Sequence, residues 1–229
     1  MNDTTTALLT GASAGFGRAL AFALAERGWD LILTARQLEP LTRVRDATGA
    51  VAVAGDVADP GHRAALARVI GELDRLDLVV NNASALGPSP MPALADYPPD
   101  ELLGVLTTNV VAPLSILQLT RPMLLAANGI AVNISSDAAV NAYEGWGGYG
   151  SSKAALDQLT AVYAAENPGL RVYALDPGDM RTAMHQAAFP GEDISDRPEP
   201  ETVVPAFLHL LDHRPPSGRY LAADLLPAR

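Results

Sequence analysis

No cysteine occurs in the 229 residues of this chain, which removes disulfides, thiolate nucleophiles and thiolate metal sites together. A reducing, cytoplasmic compartment is compatible with that. Basic charge is also scarce: 16 lysines and arginines face 26 acidic residues, for a formal net charge of -10. Nucleic acid and anionic membranes need basic patches, so neither is expected as a partner. The amino terminus, Met1-Asn2-Asp3-Thr4-Thr5-Thr6, lacks the basic and then apolar regions of a signal peptide. No apolar stretch reads as approaching the roughly 20 residues that span a bilayer. The sequons at Asn82 and Asn133 are therefore expected to be unglycosylated. His62, His185, His209 and His213 form no ligand pattern with carboxylates, and no metal site is expected.

Lysine is almost missing as well. Of the basic residues only Lys153 is a lysine, and it stands four positions after Tyr149 in Tyr149-Gly150-Ser151-Ser152-Lys153. A chain that uses arginine for every other cation marks, with its one amine, a place where a planar guanidinium will not serve. On a helix this spacing puts both side chains on one face. An ordinary solvated lysine fits the spacing equally.

With 48% hydrophobic residues the chain can bury a sizeable core, and its length reads as one domain over residues 1–229. Short apolar runs alternate with longer amphipathic segments, the pattern of βαβ units and a parallel sheet. Strands are expected at 7–10, 30–35, 50–55, 78–81, 130–135, 171–175 and 220–222. Helices are expected at 15–27, 38–48, 61–73, 99–111, 113–126, 150–166 and 201–212. Leu31-Ile32-Leu33 and Leu78-Val79-Val80 are continuously apolar, as strands buried on both faces should be. The expected fold is an α/β, Rossmann-type, doubly wound parallel sheet of about seven strands with helices on both faces. Two proline-rich segments, 85–98 and 177–200, break the rhythm after strand ends, where they can line a crevice at the carboxyl edge of the sheet.

After the first strand, Thr10-Gly11-Ala12-Ser13-Ala14-Gly15-Phe16-Gly17 opens directly into a helix. Glycines here permit a tight turn, close approach of backbone to a pyrophosphate, and close packing of helix on strand. The helix N-terminus adds free N–H groups and a positive dipole end. The second strand ends at Arg36, where a carboxylate would favour NAD; an arginine accommodates the 2′-phosphate of NADP instead. An ordinary exposed arginine would look the same. Asp56, with Val57, ends the third strand and can meet an adenine amino group or cap the next helix. Asn82 and Ala83 end the fourth, where Asn82 can tie neighbouring strand ends together.

These residues resemble the short-chain dehydrogenase/reductase family, in its single-domain branch. The likeness runs over essentially the whole chain: the glycine motif, Asp56, Asn81-Asn82-Ala83, Asn109, Asn133-Ile134-Ser135-Ser136, Tyr149 with Lys153, and Pro177-Gly178 followed by Thr182. The resemblance implies hydride transfer between a nicotinamide and a carbonyl or alcohol carbon, with Tyr149 as general acid and base. A phenol titrating near 10 needs a nearby cation to favour phenolate, and Lys153 supplies that field. The resemblance also assigns a ribose contact to Lys153, substrate positioning to Ser136, and a backbone water relay to Asn109. Ser135 is the alternative by residue type and fails the spacing. Thr10, Gly11, Ser13, Gly15, Phe16, Gly17, Arg36, Asp56, Val57, Asn82 and Ala83 would contact the cofactor, as would Tyr149, Lys153, Pro177, Gly178, Met180 and Thr182.

Two positions depart from the family pattern. Ser84 stands where the family usually has glycine, and Ala14 where many NADP-preferring relatives carry a basic residue, so the preference for NADP over NAD rests mainly on Arg36, with Ser13 as a possible helper. Substrate selection is expected from 85–98, 137–148 and 177–200. There Tyr143, Trp146, Met180, Met184 and Phe189 would form an apolar pocket with Arg181 as the one possible anchor, which fits a small neutral carbonyl or alcohol. The same side chains could instead pack the lid or a subunit interface. Relatives imply a homodimer or homotetramer. A catalytically idle NADP(H)-binding sensor or scaffold is the competing reading, since fold does not dictate function.

Overall fold

The computed structural model describes residues 5–225. Met1–Thr4, part of the segment read as lacking a signal peptide, and the last four residues of the expected domain lie outside the described residues. Strands β1 (Thr6–Thr10), β2 (Asp30–Ala35), β3 (Val51–Ala54), β4 (Leu78–Asn81), β5 (Ile130–Ile134), β6 (Arg171–Asp176) and β7 (Gly218–Leu221) form one sheet. All pairings are parallel, and the spatial order is β3-β2-β1-β4-β5-β6-β7. The helices are α1 (Gly15–Glu26), α2 (Leu38–Thr48), α3 (Pro60–Ile70), α4 (Pro99–Leu106), α5 (Ala112–Ala126), α6 (Gly147–Glu166), α7 (Ala183–Ala188), α8 (Val204–His213) and α9 (Ala222–Leu225).

Strand alternation feeds two apolar layers. Ala7 and Leu9 of β1, Leu31 and Leu33 of β2, and Leu78 and Val80 of β4 enter one layer, while Leu8, Ile32 and Val79 enter the other. Leu20, Leu24, Val44 and Phe207 cover the first layer from α1, α2 and α8. Leu66, Ile116, Leu117 and Tyr163 cover the second from α3, α5 and α6. Burying each side chain of this size contributes about 1.5–3 kcal/mol. The chain thus folds as the expected doubly wound Rossmann-type sheet.

Element ends follow local chemistry. Asp59 accepts a 2.9 Å hydrogen bond from the Gly61 amide, so α3 starts at Pro60, where proline's missing N–H costs nothing. Gly49, at φ 71°, ends α2 in the left-handed conformation. Strand β7 begins earlier than expected because Gly218 pairs with Tyr173 and Leu221 with Asp176, leaving Ala222 to open α9.

The two helices expected around Pro113 run together. Between α4 and α5 lies a π turn over Thr107–Val111, and the helical run from Pro99 to Ala126 covers 28 residues. By length and composition alone it could cross a membrane, which corrects the reading that no apolar stretch approached that length. Pro113 has no N–H for the Asn109 carbonyl four residues back, and the helix widens there instead of ending. Ile116, Leu117 and Leu124 dock on the sheet, whereas Leu103 and Val111 are exposed. The segment 177–200 is less irregular than expected: Thr182 caps α7 by accepting from the His185 amide at 3.1 Å.

Candidate active site

The strand order reverses between β1 and β4, and the carboxyl ends there open a cleft of about 670 Å³. A crevice at such a switch point is the general ligand site of open α/β sheets. At its floor the chain leaves β1 through Gly11 (φ 65°) and Gly15 (φ 51°), conformations that favour glycine. A side chain at Gly11 or Gly17 would run into the Asn82 amide. That amide donates to the carbonyls of Thr10 (3.0 Å) and Gly11 (3.2 Å). The Thr10 hydroxyl in turn accepts from the amides of Asn82 and Ala83 at 3.0 and 2.9 Å. Thr10 and Gly17 therefore fasten the loop from behind, while Gly11, Ser13, Gly15 and Phe16 face the cleft. Ala14 provides no side-chain cap, so the first amides of α1 remain available to an anion.

Arg36, Asp56 and Val57 border one end of the cleft, and Asn82 and Ala83 its middle. One Asp56 oxygen accepts from the Ala58 amide at 2.9 Å. A smaller cavity of about 400 Å³ adjoins at Ser13 and holds Arg18 and Arg43. Sequence reading missed both arginines, because nothing in their spacing says that α1 and α2 lie side by side. Arg43 is paired with Glu39 at 2.7 Å; Arg18 lies 5.2 Å from the Phe22 ring centroid. The glycine cradle, the uncapped helix start and Arg36 fit a dinucleotide carrying an extra phosphate.

Tyr149 and Lys153 stand one turn apart on α6, both buried at the other end. The Ser136 hydroxyl donates to Asp137 at 3.1 Å and accepts from the Ala138 amide at 3.2 Å. Ser136, Ser84 and Tyr149 all border the same cleft. Ser135 borders the cleft with its buried hydroxyl unpartnered. Asn109 sits in the π turn, 1% exposed, with its side chain bonded to Ser84, to both backbone groups of Ala85 and to Ser152. Its role was read as backbone only; the side chain proves to be a clamp between β4 and α6.

The electrostatics differ from the expected order of effects. Burial pushes Tyr149 up to about 12, opposed by the hydroxyls of Ser136 and Ser84, while Asp176 and Asp137 add to the rise. Burial likewise pulls Lys153 down to about 8, against Asp157 and Asp176. Its ammonium donates to the Ile134 carbonyl at 2.7 Å. Desolvation is the largest influence on both groups. Behind this set Arg219 donates to Asp157 (2.9 Å), Asp176 (2.8 Å) and the Ser136 carbonyl (3.1 Å). Sequence reading had no signal for this network, whose members lie on α6, β6, β7 and the loop after β5.

Beyond Tyr149 the wall is apolar: Leu86, Trp146, Met184 and Ala188 line it. Phe189 packs behind Trp146 at 5.7 Å between centroids, and Tyr143 is exposed, donating to Asp137 at 2.8 Å. Neither lines the cleft. Arg181 is paired with Glu199 outside it, so the possible cationic anchor is not there. Pro177, Gly178, Met180 and Thr182 border the cleft as expected.

A family model for short chain dehydrogenases matches residues 5–193. The chain belongs to the short chain dehydrogenase family. A sepiapterin reductase from Meriones unguiculatus is 36% identical to it over 199 residues, covering 79% of this chain and 76% of that protein. A serine 3-dehydrogenase from Rhizobium radiobacter is 34% identical over 183 residues, covering 77% and 72%. Among solved structures, a short chain dehydrogenase from Shigella flexneri complexed with NADP superposes with a TM-score of 0.88 at 32% identity, covering 97% of this chain and 98% of that one. Membership makes this chain an oxidoreductase by family; the differing names of its relatives leave the substrate to the site.

Proposed function

We propose that this short chain dehydrogenase is an NADP(H)-dependent oxidoreductase acting on a small neutral carbonyl or alcohol, with Tyr149 as general acid and base. The observation that carries the reading is the buried Tyr149 in the cleft that Ser136 also lines, one helical turn from the sole lysine. An idle binding module needs none of these groups. Arg36 at the cleft edge and the NADP complex of the Shigella relative support NADP over NAD.

Gly11, Gly15 and the start of α1 would hold the pyrophosphate, Arg36 the 2′-phosphate, Asp56 the adenine, and Pro177, Gly178, Met180 and Thr182 the nicotinamide end. The cofactor, when bound, supplies hydride to a carbonyl carbon or takes it from an alcohol. Tyr149, kept protonated at neutral pH by its burial, gives its phenolic proton to the carbonyl oxygen as the C–H bond forms. Ser136 turns its hydroxyl proton from Asp137 to the same oxygen and holds it against the phenol. Lys153 fixes the carboxyl end of β5 to α6 through Ile134 and favours the phenolate left behind. Asn109 holds the loop after β4 against α6. Such acid–base work contributes about 10²–10⁴ in rate. The apolar wall of Leu86, Trp146, Met184 and Ala188 favours neutral substrates over carboxylates. The exposed Leu103 and Val111 on the long helical run and Val162 on α6 support assembly into a homodimer or homotetramer.

The test is a panel of neutral carbonyl compounds with NADPH and NADH, following loss of reduced-cofactor absorbance, for the wild type and Tyr149→Phe. Turnover with NADPH that falls about 10²–10⁴-fold in Tyr149→Phe, with NADPH binding retained, is expected. Clear NADPH binding with no turnover of any carbonyl would establish the idle module instead.

A further inference from the structure

We propose that Arg219 is a positioning residue of the site: its guanidinium locks the Ser136 turn, helix α6 and the Gly178 turn into one fixed geometry. The inference rests on the proposed oxidoreductase reading, and it gives a role in that chemistry to a side chain that does not line the cleft.

Arg219 lies on β7, the last strand of the sheet. Its Nε donates to Asp157 Oδ2 at 2.9 Å, while its Nη2 donates to Asp176 Oδ2 at 2.8 Å and to the Ser136 carbonyl at 3.1 Å. Each bond ends on a different piece of the proposed site. Asp157 stands one turn beyond Lys153 on α6, the helix that also carries Tyr149. The other oxygen of Asp176 accepts from the Gly178 amide at 3.0 Å, and Gly178, at φ 73°, turns the chain along the cleft. Ser136 opens the short 3₁₀ turn Asp137–Ala139. That turn rests closely on α6, since a Cβ at Gly150 would come within 2.7 Å of the Ala138 carbonyl.

Neutralising two buried carboxylates accounts for two of these bonds. It does not account for the third. The Ser136 carbonyl already accepts from the Ala139 amide at 3.0 Å, so its hydrogen bonding is met without the arginine, which takes the second lone pair of the same oxygen. A planar fork holds its donors in fixed directions, whereas an ammonium is a point charge on a flexible stem. The fork therefore sets where the Ser136 hydroxyl and the Gly178 turn stand relative to Tyr149 and Lys153. Misplacing reacting groups by about 1 Å can cost about 10²-fold in rate, so a strut outside the cleft can govern the chemistry inside it.

The experiment uses Arg219→Lys, which keeps a positive charge between the two carboxylates and removes the fork. In the cofactor-free chain, amide hydrogen exchange resolved by NMR should be about tenfold faster at Ala139 and Gly178, with the amides of β1 and β4 unchanged. For carbonyl reduction, kcat counted per bound NADPH should fall about tenfold to a hundredfold, while the dissociation constant of NADPH stays near the wild-type value. In a Ser136→Ala background the same substitution should cost less, because residues that act through one geometry are not additive. A merely structural role gives the same fold-loss in both backgrounds. Arg219→Gln combined with Asp157→Asn removes one charge of each sign, and it takes the place of Arg219→Lys in every measurement if the lysine variant does not fold. Unchanged exchange at both amides, or full kcat in the folded variant, overturns the proposal. If the wild type turns over no carbonyl, the enzyme reading falls separately, and the exchange rates still judge whether Arg219 ties the two turns together.

Discussion

The Lys153 ammonium lies 5.5 Å from the ring centroid of Tyr149 yet gives a 2.7 Å hydrogen bond to the Ile134 carbonyl. The amine is therefore a strut between α6 and the end of β5 as well as a charge beside the phenol. A guanidinium is a broad planar fork, a different shape from the compact amine held here at 2% exposure.

Lys153 can be tested without mutation, because an amine-selective acylating reagent has only this side chain and the amino terminus to modify. Burial lowers the amine to about 8, so the reactive neutral form should rise about tenfold per pH unit up to that point and level off above it. Labelling, located by peptide mass mapping, should abolish carbonyl reduction, and NADPH should slow it. Full turnover after complete Lys153 modification, or in Lys153→Arg, contradicts the assignment.

Arg36 governs cofactor choice in the proposed function. Removing a charge-assisted hydrogen bond to a phosphate costs about 1.5–3 kcal/mol, so Arg36→Ala should raise KM for NADPH about tenfold to a hundredfold and leave KM for NADH nearly unchanged. Equal losses with both cofactors would assign the phosphate preference to Arg18 and Arg43 in the adjoining cavity.

Gly17 needs its missing side chain for packing. A methyl there would overlap the Asn82 amide and the Gly11 carbonyl, and overpacking of this kind costs about 1–3 kcal/mol. Gly17→Ala should lower the urea midpoint accordingly while α1 keeps its helicity by circular dichroism. A midpoint at the wild-type value would mean that the β1–α1 junction opens to admit the methyl.

How far the sequence alone reaches is clear from individual residues. Leu31-Ile32-Leu33 and Leu78-Val79-Val80 announce buried strands because they are short continuous apolar runs set between helical segments, as a parallel sheet covered on both faces requires. Tyr149 and Lys153 are legible because a single helix carries both. The π turn at Thr107–Val111 is not: Pro113 reads as a break, and only docking of α5 on the sheet keeps the helix going through it. The Asn109 clamp on Ser84 and Ser152 joins segments far apart in sequence, and no local pattern encodes those contacts. The rise of Tyr149 to about 12 is equally hidden, since desolvation depends on everything packed around the phenol.

Arg219 makes the same point in a form that can be measured. It is the shared cation of Asp157 and Asp176, whose side chains are 15% and 5% exposed. Burial already raises Asp176 above its ordinary value, and Arg219 is among the groups pulling it back. In Arg219→Leu that pull disappears and a buried carboxylate is left unpaired, a loss of about 3–5 kcal/mol. The sign of its pH dependence follows. Raising the folded-state pKa further means that the folded chain binds a proton the unfolded chain does not, so stability falls as pH rises from the unfolded value through the folded one. The deficit of Arg219→Leu relative to wild type should therefore be largest at neutral pH and shrink on acidification, as the orphaned carboxyl becomes neutral. Urea unfolding of both proteins at neutral pH and at about pH 4.5, close to the unfolded carboxyl range, checks this. A deficit that is constant or grows toward acid would mean that Asp176 draws its stabilisation from the Gly178 amide and not from the arginine.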